Sequence, residues 1–311
     1  MRNPAPIYAR QADASVISVL ESDGCRFSGG PATGLILEQV GLGCYGDYLT
    51  WATGCQQVQV YQSTQSTQDT SRKLLTQIGS KALGAVIVSD EQSAGRGRLG
   101  RRWHAPAGSA ALFSTIVPMS QTNPERLALA ASVAVADTIA AALVSTGHRP
   151  AIKWPNDTLV NGRKIAGILI ETTSSPSQPP NKTNQPKATA AIIGIGINID
   201  LDLTQLAAHA DTAPLSQTLT SLRQLSSSAH RLQMIADTLK ALKQAIQTPA
   251  DALLARWRSR CMLQDQTQSF MHNGQTITGH VIDLDPDEGL AVRTQEGAIV
   301  HLPAATTSTK L

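Results

Sequence analysis

Aromatic residues are scarce in this 311-residue chain, with three Phe, four Tyr and four Trp. Its core must be filled mainly by aliphatic side chains, and each Trp stands out as a candidate for a special place. Cysteine is scarce too. Cys25, Cys44, Cys55 and Cys261 contain no CxxC pair, which argues against a structural zinc site and leads us to expect no metal held by the protein. Four such thiols fit a reducing compartment. Residues 1–10 lack the apolar run of a signal peptide, so the expected location is the cytoplasm. No stretch reads as a membrane span. The nearest, residues 127–144, is dominated by Ala, holds Asp137 near its middle and only reaches minimum length, so it predicts a buried helix. Charge of one sign is not in excess. Lys plus Arg number 26 and Asp plus Glu 23, a net of +3, so any anion site must be a local patch. With 41% apolar residues the chain is not disordered. A GxSxG nucleophile elbow and a Walker-type GK[ST] are both missing.

The length suits two or three domains. Residues 1–55 show no clear element; 16–20 have helical character, and 34–40 read as a short strand or helix. From residue 56 the pattern sharpens. Val58 and Val60 alternate with polar residues, as in a half-buried strand. Ser66, Thr67, Gln68 and Asp69 have capping character before Leu74, Leu75 and Ile78 at helical spacing, with Gly79 as the stop. Strands are expected at 85–89, 111–117, 151–154, 157–160, 165–171 and 188–199. Thr122 or Asn123 caps a helix with Pro124 in its first turn, running to about residue 144. Residues 172–187 hold four prolines and no large apolar residue, which predicts a mobile hairpin loop. Residues 201–222 are polar and weakly patterned. Helices follow at 230–247 and 250–261. Beyond 263, short alternating runs are broken by Asn273-Gly274, Asp287-Glu288-Gly289 and Glu296-Gly297, which are hairpin signals. The expected fold is α+β, a mixed, largely antiparallel sheet packed against helices over residues 56–262, with a small β-barrel over 263–311.

The strongest local signal is Gly95-Arg96-Gly97-Arg98-Leu99-Gly100-Arg101-Arg102-Trp103. It contains a literal GxGxxG, yet no helix opens after the third glycine, so a dinucleotide fold is excluded. A flexible loop with four arginines is what remains. Guanidinium groups match carboxylate or phosphate, and glycines let the backbone come close to a ligand. Without an anion these arginines repel one another, so the loop and residues 201–222 are expected to be mobile in the free protein.

Four further runs accompany the loop: Ser66-Thr67-Gln68, Lys153-Trp154-Pro155-Asn156-Asp157, Lys164 to Glu171, and Gly194-Ile195-Gly196-Ile197-Asn198. Together with Gln92 ahead of the arginines, this ordered set resembles the biotin–protein ligase family over about residues 56–302. The resemblance implies the class II synthetase-like catalytic domain of biotin and lipoate ligases, with an SH3-like barrel behind it. It also implies a two-step reaction. Biotin attacks the α-phosphate of ATP, Mg²⁺ accompanying the nucleotide, to give biotinyl-5'-AMP and pyrophosphate. A lysine of a biotin carboxyl carrier protein, as in acetyl-CoA carboxylase, then takes the biotin. Such chemistry needs cations aimed at the α-phosphate and no covalent nucleophile.

By the same resemblance, Lys153 is the central electrophilic stabiliser, and Arg98 and Arg101 contact phosphate, while Arg96 closes over biotin. Ser66, Thr67, Gln68, Gln92, Gly95 and Gly167 serve biotin, with Gly194 allowing close approach. Trp103 is the candidate for stacking adenine; Asn156, Asp157 and Asn198 lie near the nucleotide. The repeat Ser63-Thr64-Gln65-Ser66-Thr67-Gln68 leaves the register open, and the second copy is preferred because it leads into the helix. Leu99 stands where some relatives carry another arginine, and Arg102 is expected to be solvated. A lipoate-type ligase is one alternative, and a bifunctional ligase and DNA-binding repressor another. Residues 41–54 contain no Lys or Arg, which argues against a recognition helix and hence against DNA as a partner. A homodimer is left open.

Overall fold

The computed structural model describes residues 26–30, 34–39, 43–120, 122–174, 188–208 and 213–309. An antiparallel hairpin of β1 (Arg26–Gly30) and β2 (Gly34–Gln39) leads to helix α1 (Gly43–Thr53). These elements occupy the region that had no clear pattern. Helix α1 is made by tertiary burial: Tyr45, Tyr48 and Leu49 are all buried, and the Tyr48 hydroxyl donates to Gln233 at 3.0 Å. The helical character read at 16–20 lies outside the described residues.

Seven strands form the central sheet: β3 (Val58–Thr64), β4 (Val86–Gln92), β5 (Ala110–Pro118), β6 (Pro150–Lys153), β7 (Asp157–Val160), β8 (Arg163–Ser174) and β9 (Ala188–Asn198). Their order is β3-β4-β5-β9-β8-β7-β6. Only β3 and β4 run parallel; every other neighbour pair is antiparallel. The mixed, largely antiparallel sheet is thus as expected. Alternation divides its side chains between two faces. Ile87, Ile116 and Ile192 face α2 (Thr67–Ile78) with Leu74 in one small cluster. Val86, Val88, Phe113, Ile193 and Ile195 join the main core with α3 (Pro124–Ala142), α6 (Arg231–Gln247) and α7 (Ala250–Arg258).

Helix α3 is the alanine-rich stretch. Asn123, not Thr122, caps it, its side-chain oxygen accepting from the Arg126 backbone N–H at 2.8 Å. Asp137 is ion-paired with Arg256 and Arg260. None of the described helices is long and apolar enough to cross a membrane. Between β9 and α6, residues 201–222 contain α4 (Leu203–Ala208) and α5 (Ala213–Thr218). Contrary to a wholly loose segment, its end is tied to the sheet: Thr220 N–H donates to Lys164 O at 2.9 Å, and Leu222 N–H to Asn198 O at 3.1 Å. Most of the proline tract, residues 175–187, lies outside the described residues.

Strands β10 (Thr267–His272), β11 (Gln275–Asp285), β12 (Gly289–Thr294), β13 (Ile299–Leu302) and β14 (Thr307–Thr309) form a second, antiparallel sheet in the order β13-β12-β11-β10-β14. Asn273 and Gly274 both take positive φ, 47° and 80°, the backbone that lets a two-residue turn match the twist of its strands. This sheet docks on the first. Phe270 meets Trp154 edge-on with ring centroids 6.1 Å apart, and the Glu125 carboxylate at the start of α3 accepts from the Ala304 N–H at 2.9 Å.

Trp154 and Trp257 are both core residues, as expected. Trp257 is fully enclosed on α7, so Trp257→Ala should cost about 3–5 kcal/mol through lost burial and the cavity left behind. Chemical denaturation of the two proteins checks this; a loss below about 1 kcal/mol would contradict the packing.

Candidate active site

A cleft of about 470 Å³ opens where the C-terminal ends of β4 and β9, the middle of β8 and the turn after β6 converge. Its floor is glycine. Gly167 and Gly196 are register partners on β8 and β9, and the Trp103 indole lies on them. A Cβ on Gly196 would meet the indole at 2.7 Å, and one on Gly167 at 2.8 Å. Lys164 Nζ approaches the same ring, 5.3 Å from its centroid. On Gly194 a Cβ would meet Gln68 Oε1 at 2.7 Å. The three glycines of the two late motifs therefore each make room for a named side chain.

The N-terminus of α2 forms one wall and settles the register of the repeat. Ser66, Thr67 and Gln68 line the cleft, whereas Ser63 and Thr64 belong to β3. Ser66 is the N-cap, accepting from Gln68 N–H at 3.3 Å. Thr67 donates from its N–H (2.8 Å) and hydroxyl (3.1 Å) to Gln92 Oε1. The Gln68 amide donates to Ile192 O at 3.0 Å and accepts from the Ser114 hydroxyl at 3.1 Å. A buried polar group needs such partners. Ser114, which the motifs do not include, is a fully buried member of this network. Its signal was a hydroxyl inside the apolar run of β5.

The arginine loop is stapled rather than loose. Trp103 N–H donates to Gly95 O at 2.9 Å and Gly97 N–H to Arg101 O at 2.8 Å. Leu99 and Gly100, with φ of 53° and 74°, make the tip. Gly95 is itself buried, where a Cβ would strike Trp103 O at 2.5 Å. The expectation of arginines without fixed partners is corrected. Arg96 is ion-paired with Asp69 at 2.6 Å and Glu171 at 2.7 Å. Arg98 donates to Asn156 Oδ1 at 3.1 Å, to Thr307 O at 2.6 Å and to Ala304 O. These partners come from α2, β8, the turn after β6 and the β13–β14 end of the second sheet, so no local pattern could reveal them. Arg102 is exposed, as expected, and Arg101 lines the cleft.

Lys153 ends β6, half-buried, and burial pushes its pKa below the ordinary lysine value; nearby Asp157 opposes that, while Lys164 and Arg101 reinforce it. Asp157 is ion-paired with Lys164 at 2.6 Å. Asn156 donates to Ile168 O at 3.1 Å. Asn198 is 1% exposed; its amide donates to Thr220 O at 2.9 Å while Oδ1 is buried without a partner among the described residues. The Trp103 indole nitrogen is likewise buried and unpartnered there. The far wall comes from Leu215, Gln217, Thr218 and Leu219 and from Ser308 and Thr309 of β14, none of which carried a sequence signal. The cleft therefore gathers Arg96, Arg98, Arg101, Arg102, Lys153 and Lys164 against one lining carboxylate, Asp157. The local cationic patch demanded by the small net charge is here.

Known proteins agree with this picture. Residues 60–198 match the model of the biotin/lipoate A/B protein ligase family. The bifunctional ligase/repressor BirA of Bacillus spizizenii is 32% identical over 254 residues, which are 76% of this chain and 70% of that one. The biotin–[acetyl-CoA-carboxylase] ligase of Mycobacterium tuberculosis is 30% identical over 267 residues, covering 80% of this chain and 91% of that one. Among solved structures, a biotin protein ligase from Aquifex aeolicus in complex with biotin and ATP superposes with a TM-score of 0.64 at 21% identity, over 82% of this chain and 99% of that chain.

If the glycine floor exists to seat Trp103, Gly196→Ala should displace the indole and weaken ligand binding at least about tenfold, since a contact that close must move the ring. Calorimetric titration with biotin in the presence of ATP reads this. Unchanged affinity would contradict the role given to Gly196.

Proposed function

The chain belongs to the biotin–protein ligase family, and from that premise we propose how its cleft works. It is an ATP-dependent ligase that activates biotin to biotinyl-5'-AMP and transfers it to protein. The observation that carries the residue assignment is the excess of cations over carboxylates lining the cleft, five against Asp157 once Arg96, paired with Asp69 and Glu171 outside the lining, is set aside. A carboxylate and a triphosphate can meet only where their charges are balanced, and fixed cations do this without reorganising during the reaction.

Thr67, Gln92 and the α2 N-terminus supply the polar groups for the ureido ring of biotin, with Ser66 and Gln68 holding that wall in shape. Gly95, Gly167 and Gly194 let backbone and ring come close. Lys153 bridges the biotin carboxylate and the α-phosphate, bringing them into line and stabilising charge as the new bond forms. Arg98 and Arg101 hold the phosphates. Asn198 Oδ1, buried and without a partner among the described residues, suits the amino group of adenine, and Trp103 offers the face against which the base stacks. Asn156 and Asp157 orient Arg98 and Lys164. Mg²⁺ enters with ATP, bound to its phosphates; Asp157, the one lining carboxylate, already answers Lys164.

The acceptor is the lysine of a biotin carboxyl carrier protein. Past Gly167, β8 is paired only with β9 among the described strands, which leaves an edge for a carrier strand to join by backbone hydrogen bonds. Ser308 and Thr309 of the second sheet stand in the cleft wall, which supports a reading of the chain as a catalytic domain over residues 56–262 and a small barrel over 263–311 that share one site. The absence of Lys and Arg from residues 41–54 supports a ligase that does not take DNA as a partner, and the free thiols Cys55 and Cys261 fit a cytoplasmic enzyme.

Lys153→Ala should slow biotin-dependent pyrophosphate exchange by about 10²–10³, the usual worth of such a donor. Exchange at the parent rate would overturn the assignment. Parallel charging with labelled biotin and lipoate separates the two ligase readings, with biotin alone expected on the carrier. The reaction needs Lys153 protonated, and burial lowers its pKa. Hence kcat/KM for ATP, which reports the free enzyme, should fall on the alkaline side below the ordinary lysine range, and Lys153→Arg should remove that limb.

A further inference from the structure

We propose that Asp69 and Glu171 are positioning residues which, braced by Arg72, clamp Arg96 and so set how long the cleft retains biotinyl-AMP. The proposal rests on the reading above and goes beyond it, since none of these three residues belongs to the cleft lining. Four side chains close a ring. Arg96 reaches Asp69 Oδ1 at 2.6 Å and Glu171 Oε1 at 2.7 Å, while Arg72 reaches the same Asp69 oxygen at 2.8 Å and Glu171 Oε2 at 2.7 Å. Two guanidinium forks thus share two carboxylates, and the group is neutral as a whole. Burial opposes the charge on Arg96, and the two carboxylates outweigh that, holding its pKa above the ordinary value.

The clamp ties the arginine loop to two elements that flank the cleft. Asp69 and Arg72 sit in the first turns of α2, directly after the cleft-lining Ser66, Thr67 and Gln68. Glu171 follows Gly167 and Leu169 of β8, which line the cleft, and shares their face by alternation. Arg96 sits on the loop that covers both. Arg96 has its charge answered by two carboxylates and acts as a fastening, whereas Arg98 meets only neutral oxygens and keeps its charge for the nucleotide along with Arg101. The four side chains remain 23–40% exposed. Each pair is therefore worth little and is screened by salt. That suits a fastening which has to open once per turnover.

The test uses the full chain and its Glu171→Gln and Asp69→Asn variants. Biotinyl-AMP is formed on the enzyme from biotin and ATP, and its release is followed by trapping with excess unlabelled biotin and ATP. Each variant should release the adenylate about five- to tenfold faster, the effect of losing roughly 1 kcal/mol. Pyrophosphate exchange at saturating biotin should stay within about twofold of the parent. Raising sodium chloride should speed release from the parent and change the variants little. Release at the parent rate in both single variants would overturn the clamp, and so would an exchange loss as large as the gain in release. Hydrogen exchange of residues 95–103 in the ligand-free proteins separates this from the ligase reading. A parent that forms no adenylate overturns that reading and the retention role together, while faster exchange in Glu171→Gln still identifies the fastening as physical. Equal exchange overturns the fastening itself.

Discussion

One guanidinium holds the site together. Arg98 leaves the arginine loop, meets Asn156 in the turn after β6, and ends on the carbonyls of Ala304 and Thr307 in the second sheet. Burial works against its charge, so those oxygens have to compensate for lost water. Through these bonds Arg98 joins the loop, the lysine-bearing turn and the second sheet. Beside it, Glu125 receives the Ala304 N–H and attracts Arg98. The second sheet is therefore not an appendage. Its last strand is a wall of the cleft, and its backbone supplies acceptors for an arginine whose sequence signature suggested phosphate alone.

Around that tie the cleft combines two kinds of group. Neutral polar groups cluster at the α2 N-terminus, where Thr67, Gln68, Gln92 and Ser114 form one hydrogen-bonded network. The cations Lys153, Lys164 and Arg101 line the same cleft. Glycines line it as well, because only a surface without side chains lets an indole and a ligand lie flat between two strands. This arrangement suits a reaction that joins a neutral ring bearing a carboxylate to a polyanion, with the protein contributing position and charge in place of a nucleophile.

Much of this was legible from residue order, and the reasons are physical. Alternation in β4, β5, β8 and β9, and the cap at Asn123, are local properties, so the sheet and its helices could be anticipated. Residues of all five motifs line one cleft. What escaped was long-range. The partners of Arg96 lie 27 and 75 residues away and those of Arg98 lie 58 to 209 residues away, so a loop read as self-repelling is in fact fastened. Helix α1 lacks a strong amphipathic stripe and forms because its tyrosines find α6. Residues 215–219 line the cleft through placement, without a motif of their own.

The most direct test of this account is the hydrogen exchange of residues 304–309 in Arg98→Ala, with Arg101→Ala as the comparison. Both changes remove one cation from the loop, but only Arg98 is bonded to that strand. Loss of charge-assisted hydrogen bonds worth about 1.5–3 kcal/mol should speed exchange there by about one to two orders of magnitude in Arg98→Ala and leave Arg101→Ala like the parent. Equal protection in all three proteins would contradict the claim that Arg98 joins the second sheet to the active site.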